Sequence, residues 1–121
     1  MPNESAKRVV ARFQLEAMSN LRSKTTGVRG AVIWVSAGEF AGTDAQHGPR
    51  IKVVLGEKIT TEGLTDAVSV RLTDPPQVLG TLPGPIKKKV VEFVSRNRDA
   101  LLQHWNFEID SKELLDLLEA V

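Results

Sequence analysis

Residues 46–54 read Gln46-His47-Gly48-Pro49-Arg50-Ile51-Lys52-Val53-Val54: a polar loop, a Gly-Pro turn and the start of a strand. Alternate residues of a strand share a face. Arg50 and Lys52 are therefore expected to project together, with Ile51 and Val53 on the opposite side. Upstream, Val32-Ile33-Trp34-Val35 is β-branched and aromatic and predicts a strand over 31–37. Downstream, 66–72 alternates, with Val68, Val70 and Leu72 on one side and Ser69 and Arg71 on the other. Asp74-Pro75-Pro76 breaks that run, because proline cannot donate to a ladder and restricts the residue before it. Residues 59–61 are expected to extend the sheet briefly, and Val78 and Leu79 either to form a short edge strand or simply to pack. The connections between these strands are short, which favours antiparallel pairing, since a parallel pair needs a long crossover.

Helices flank the strand region. Val9 or Val10, Phe13, Ala17 and Leu21 recur at helical spacing and predict an amphipathic helix over 4–23. Residues 24–30 read as a loop. Gly84-Pro85 opens a second helix, where proline is favoured in the first turn. Its apolar positions are Ile86, Val90, Phe93 or Val94, Leu101 and Trp105, joined by Asn97, and it ends near Asn106. Asp110 with Glu113 three residues on matches a capping box and starts a last, leucine-rich helix. That helix is dense enough in leucine to need a docking surface, either the core or a second copy of the chain. The expected fold is α+β: a small antiparallel sheet of 3–5 strands packed against the long helix of the C-terminal half, with an N-terminal helix and a short last helix. One domain spans 1–121, with a core over about 30–107, an N-terminal helical extension over 1–29 and a C-terminal helix over 108–121.

Composition narrows the function. Of 121 residues, 41% are hydrophobic and 26% charged, enough to bury a core. Aromatics make up only 5%, which argues against stacking platforms for single-stranded nucleic acid. The chain has no cysteine, which excludes disulfides, thiol catalysis and cysteine-based zinc sites. Net charge is +1, from 16 basic and 15 acidic residues, so no strong long-range attraction to nucleic acid is expected. No bilayer-spanning run or signal-peptide apolar region stands out, and the expectation is a cytoplasmic protein without membrane contact.

His47 is the leading titratable residue. It would serve as a general base, with Arg50 or Lys52 holding an anion such as a phosphate. Asp44 and His47 supply two potential metal ligands where a site needs three or four, so neither a metal nor another cofactor is expected. His104, near a helix end, is read as a cation favoured by the helix dipole. Lys87, Lys88 and Lys89 sit in the first turn of the long helix, where positive charge opposes the dipole. They offer a surface for an acidic partner or phosphates.

Two groups of segments resemble a known family. Ala31-Val32-Ile33-Trp34-Val35 and His47-Gly48-Pro49-Arg50-Ile51-Lys52-Val53 resemble the front half of DUF4160, a family of small bacterial proteins of unknown function. Lys89-Val90-Val91-Glu92-Phe93-Val94, Asn97-Arg98-Asp99-Ala100-Leu101-Leu102 and His104-Trp105-Asn106 resemble its back half, in which a helix ends in Asn-Arg/Lys-x-x-Leu-Leu-x-x-Trp. The resemblance covers about 30–107. Many members of the wider group carry histidines where this chain has Arg50 and Lys52, which leaves a cationic patch here. Some lie beside DUF2442-type proteins, an arrangement that suggests toxin–antitoxin pairs. The expectation is an uncharacterised bacterial binding protein of such a two-gene system, acting on a protein or nucleic-acid partner through Arg50, Lys52, Lys87, Lys88 and Lys89. Two alternatives are a metal-independent ribonuclease-like toxin with His47 and Arg50 as catalytic residues, and a structural or regulatory homodimer.

Overall fold

A computed structural model describes residues 18–38, 48–59 and 66–121. Its elements are β1 (Met18–Leu21), α1 (Ser23–Thr26), β2 (Ala31–Ser36), β3 (Arg50–Leu55), β4 (Val68–Arg71), β5 (Gln77–Leu79), α2 (Gly84–Trp105) and α3 (Ser111–Leu117). The strands form one five-stranded antiparallel sheet in the order β1-β2-β3-β4-β5. Every strand pairs with its sequence neighbour, as short connections favour. The fold is mixed α+β.

Directly opposed residues share a face, so the register defines the two sides of the sheet. Leu21 faces Ile33, Ile33 faces Val53, and Val53 faces Val68. This apolar row, with Ile51 and Val70, packs against Val90, Phe93, Val94 and Leu101 of α2. Phe93 is the largest side chain sealed from solvent there. On the other face Asn20, Trp34, Lys52, Ser69 and Leu79 stand in one row. Val32, Trp34 and Val54 form a second, smaller buried cluster on that side. Arg50 and Lys52 thus share a face, as the alternation requires.

The helix α2 runs 22 residues. Its buried positions are Val90, Phe93, Val94, Asn97, Leu101 and His104. Trp105, expected on that stripe, is only partly covered, and His104 takes the inward place. No glycine ends the helix. Phe107 adopts the left-handed conformation instead, at φ 62. The Phe107 and Glu108 amides then donate to the His104 and Gln103 carbonyls, the paired pattern that closes a helix C-terminus. The capping box at α3 is present: the Glu113 amide donates to Asp110 Oδ1 at 2.8 Å, and the Asp110 amide donates to Glu113 Oε1 at 3.1 Å.

The sequence-based helix over 4–23 does not survive to its end. Met18–Leu21 is an edge strand, and Ser23–Thr26 a single helical turn; residues 4–17 lie outside the described residues. The physical reason is tertiary. As a strand opposite β2, Leu21 reaches the core beside Ile33, which outweighs a helical period. Nor is the N-terminal segment a mere extension, since Leu21 and Val28 are core residues. The last helix is equally integral, because Leu114 is fully buried in the same core. No strand is found at Ile59; residues 60 and 61 lie outside the described residues.

After α3 the chain is held by a ladder of polar contacts. Asn97 Nδ2 donates to the Glu119 carbonyl at 2.9 Å, and the Glu119 amide donates to Asn97 Oδ1 at 2.7 Å. Arg96 donates to the Ala120 carbonyl at 2.7 Å. The Val121 amide donates to the Thr26 carbonyl at 2.9 Å. Gly27, at φ 82, permits this approach: a Cβ there would fall on the Val121 carbonyl.

Candidate functional site

The site centres on the start of β3, the end of β4 and the C-terminal half of α2. Arg50 is the first residue of β3 and is only 2% exposed. Its guanidinium lies 5.5 Å from the Trp105 ring centroid and donates to the Gly48 carbonyl at 3.2 Å. Gly38 makes room for that indole, since a Cβ there would sit 2.5 Å from Trp105 Nε1. Arg50 therefore ties the sheet end to α2 from within the protein and is not a solvated recognition residue. Lys52 is half-buried, opposite Trp34 and Ser69. Lys87, Lys88 and Lys89 are exposed on the first turns of α2. Sixteen or more residues separate them from Trp105, about 25 Å along a helix. The lysine cluster and the Arg50 region thus lie toward opposite ends of α2. His47 and Asp44 lie outside the described residues.

Arg71 is the residue that the sequence reading placed on a face and left without a role. It stands directly opposite Arg50 on one side and Gln77 on the other. Like charges in opposed positions repel. Arg50 turns to Trp105, while Arg71 turns to Gln77 Oε1 at 3.1 Å. Arg71 Nε is sealed from solvent and makes no hydrogen bond. Such a group costs about 1–3 kcal/mol. Arg98, from α2, reaches the same place: its Nε donates to the Leu72 carbonyl at 2.9 Å. The Leu72 amide in turn donates to the Pro49 carbonyl at 3.0 Å. Among the described residues no carboxylate is within ion-pair distance of Arg71 or Arg98, and the terminal nitrogens of Arg98 have no acceptor.

These residues surround a cleft of about 400 Å³, lined by Pro49, Leu72 and Leu102 together with Arg71 and Arg98. None of its described lining residues is acidic. An adjoining cleft of about 240 Å³ shares Thr73 and Arg98, but its lining also includes Asp74 and Asp99. The first cleft is the one whose described lining is cationic and apolar.

His104 answers differently from its expected role. It is 5% exposed, and its Nε2 is 3.2 Å from Ser111 Oγ, which also accepts from Ser19 Oγ at 2.9 Å. Burial lowers its pKa, with the Asp110 carboxylate partly offsetting the effect. It is thus a neutral strut between α2, α3 and β1, not a cation at a helix end. Ser111 and His104 have the separation of a nucleophile and its base. The third, orienting group is missing, because His104 Nδ1 is buried without a hydrogen-bond partner.

Among the described residues no three His, Asp or Glu side chains are grouped to hold a metal ion, and no helix is long and apolar enough to cross a membrane. No protein-family model, no curated protein and no solved structure matches the chain.

Proposed function

We propose that this chain is a binding protein that recognises an anionic group of a protein partner at the Arg71–Arg98 cleft. One observation carries the reading: two guanidiniums meet at one cleft, each held by a neutral oxygen, with no carboxylate in its described lining. Held this way, each arginine is oriented without having its charge satisfied, the preparation that carboxylate or phosphate recognition requires. A protein partner fits better than nucleic acid. Net charge is +1, and no aromatic side chain is among the cleft's described lining residues to stack on a base.

The test is an NMR titration of the ¹⁵N-labelled protein with an octaglutamate peptide that keeps its free C-terminal carboxylate and, separately, a single-stranded RNA octamer. The reading predicts peptide-induced shifts centred on the amides of Arg71, Leu72, Thr73 and Arg98. It fails if neither peptide nor RNA perturbs these amides, or if RNA does so more strongly than peptide.

A further inference from the structure

The cleft combines two chemistries that a simple anion site does not need. A phosphate or free carboxylate site requires donors alone. Here Pro49 and Leu102, both partly exposed, bring apolar surface against Arg71 and Arg98. The volume, about 400 Å³, lies in the range of small-ligand sites, about 300–1,000 Å³. The ligand best matched carries a carboxylate and an aliphatic group only a bond or two apart. An acidic side chain does not: only one or two methylenes separate its carboxylate from the polar backbone, and it bears no aliphatic branch. The last residue of a polypeptide does, because its Cα bears both the terminal carboxylate and the side chain.

Resting on the proposal that this cleft binds an anionic protein, we infer that the group recognised is a free C-terminal carboxylate with an aliphatic last side chain. Arg98 supplies the bidentate fork. Its Nε is anchored on the Leu72 carbonyl, and its terminal nitrogens have no acceptor among the described residues. Arg71 is oriented by Gln77 and adds the second charge. Leu72 is the junction. Its side chain is packed in the core, and its backbone ties Pro49 to Arg98, so the donors of Arg98 and the apolar surface of Pro49 are joined through one residue. An aliphatic carboxylate also exists as a small free acid, and the experiment separates the two sources.

Calorimetric titration uses four probes: a hexapeptide ending in glycyl-leucine with a free carboxylate, the same peptide amidated, N-acetyl-leucine, and inorganic phosphate. The inference predicts binding of the free-carboxylate peptide and loss of at least tenfold on amidation. Arg98→Gln, shown by circular dichroism to be folded, is expected to lose a similar factor. Weaker binding of N-acetyl-leucine than of the peptide assigns the chain end; equal binding assigns a small acid of the same chemistry. Equal affinity for free and amidated peptides overturns the inference without touching the protein, as does tighter binding of phosphate than of either leucine probe. If octaglutamate shifts the cleft amides while amidation of the leucine peptide changes nothing, the cleft binds side-chain carboxylates and only this inference fails. If neither peptide binds, the parent reading fails as well.

Discussion

Asn97 and Arg98 are consecutive residues of α2, yet they serve two regions built on opposite terms. Asn97 is 3% exposed and closes a circuit: its amide donates to the Phe93 and Glu119 carbonyls and accepts from the Glu119 amide. Arg98 spends one donor on the Leu72 carbonyl and keeps the rest. At Asn97, which is structural, the hydrogen-bonding capacity is used up inside the fold. At Arg98, which lines the cleft, capacity is left over and held in a fixed direction. The terminal nitrogens of Arg98, without an acceptor among the described residues, make this end of the sheet a place where a ligand acceptor adds a bond that the fold does not supply.

The comparison breaks most visibly at Asn97. Asn97→Ala removes three hydrogen bonds and strands the Glu119 amide, and it is expected to cost about 3 kcal/mol in urea denaturation. Amide exchange at Glu119 and Val121 should quicken in step. A smaller loss, about 2 kcal/mol, is expected for Gly27→Ala, which forces a left-handed alanine and drives its Cβ onto the Val121 carbonyl. The same exchange measurement should show residues 119–121 released while α2 stays protected.

The effect of pH comes next. Buried His104 resists protonation, whereas in the unfolded chain it returns to its ordinary value of 6.5. Below that pH the unfolded state binds the extra proton and the folded state resists it. Stability should therefore fall as pH drops through 6.5, levelling once the folded imidazole is itself protonated. Urea midpoints measured between pH 5 and pH 8 check this, and His104→Gln should flatten the profile. The smallest stability effect belongs to the cleft. Arg98→Gln loses one partly exposed hydrogen bond, about 1 kcal/mol or less, while affinity for a carboxylate ligand falls at least tenfold.

Much of the sheet and of α2 could be read from the chain. Alternation gave the faces of β3 and β4, and Gly84-Pro85 and Asp110 with Glu113 marked helix starts that match the structure. Two kinds of feature could not be read. Met18–Leu21 is a strand because Leu21 packs beside Ile33, a contact that no local period encodes. Phe107 ends α2 in a conformation usually marked by glycine, so the signal for that turn is absent. The site followed the same division. The common face of Arg50 and Lys52 was legible, but the burial of Arg50 under Trp105 was not, because Trp105 comes from a distant helix end. Arg71 and Arg98 escaped notice for the same reason: 26 residues separate Arg98 from Leu72, and only the folded chain brings them to one cleft.

The central claim is that the cleft arginines serve recognition and not stability. Its most direct measurement is a paired one: urea denaturation and titration with the free-carboxylate leucine peptide, on wild type, Asn97→Ala and Arg98→Gln. The account predicts that Asn97→Ala loses most of the stability and that Arg98→Gln keeps it while losing the peptide. Peptide affinity unchanged in Arg98→Gln, or stability lost there as heavily as in Asn97→Ala, would contradict it.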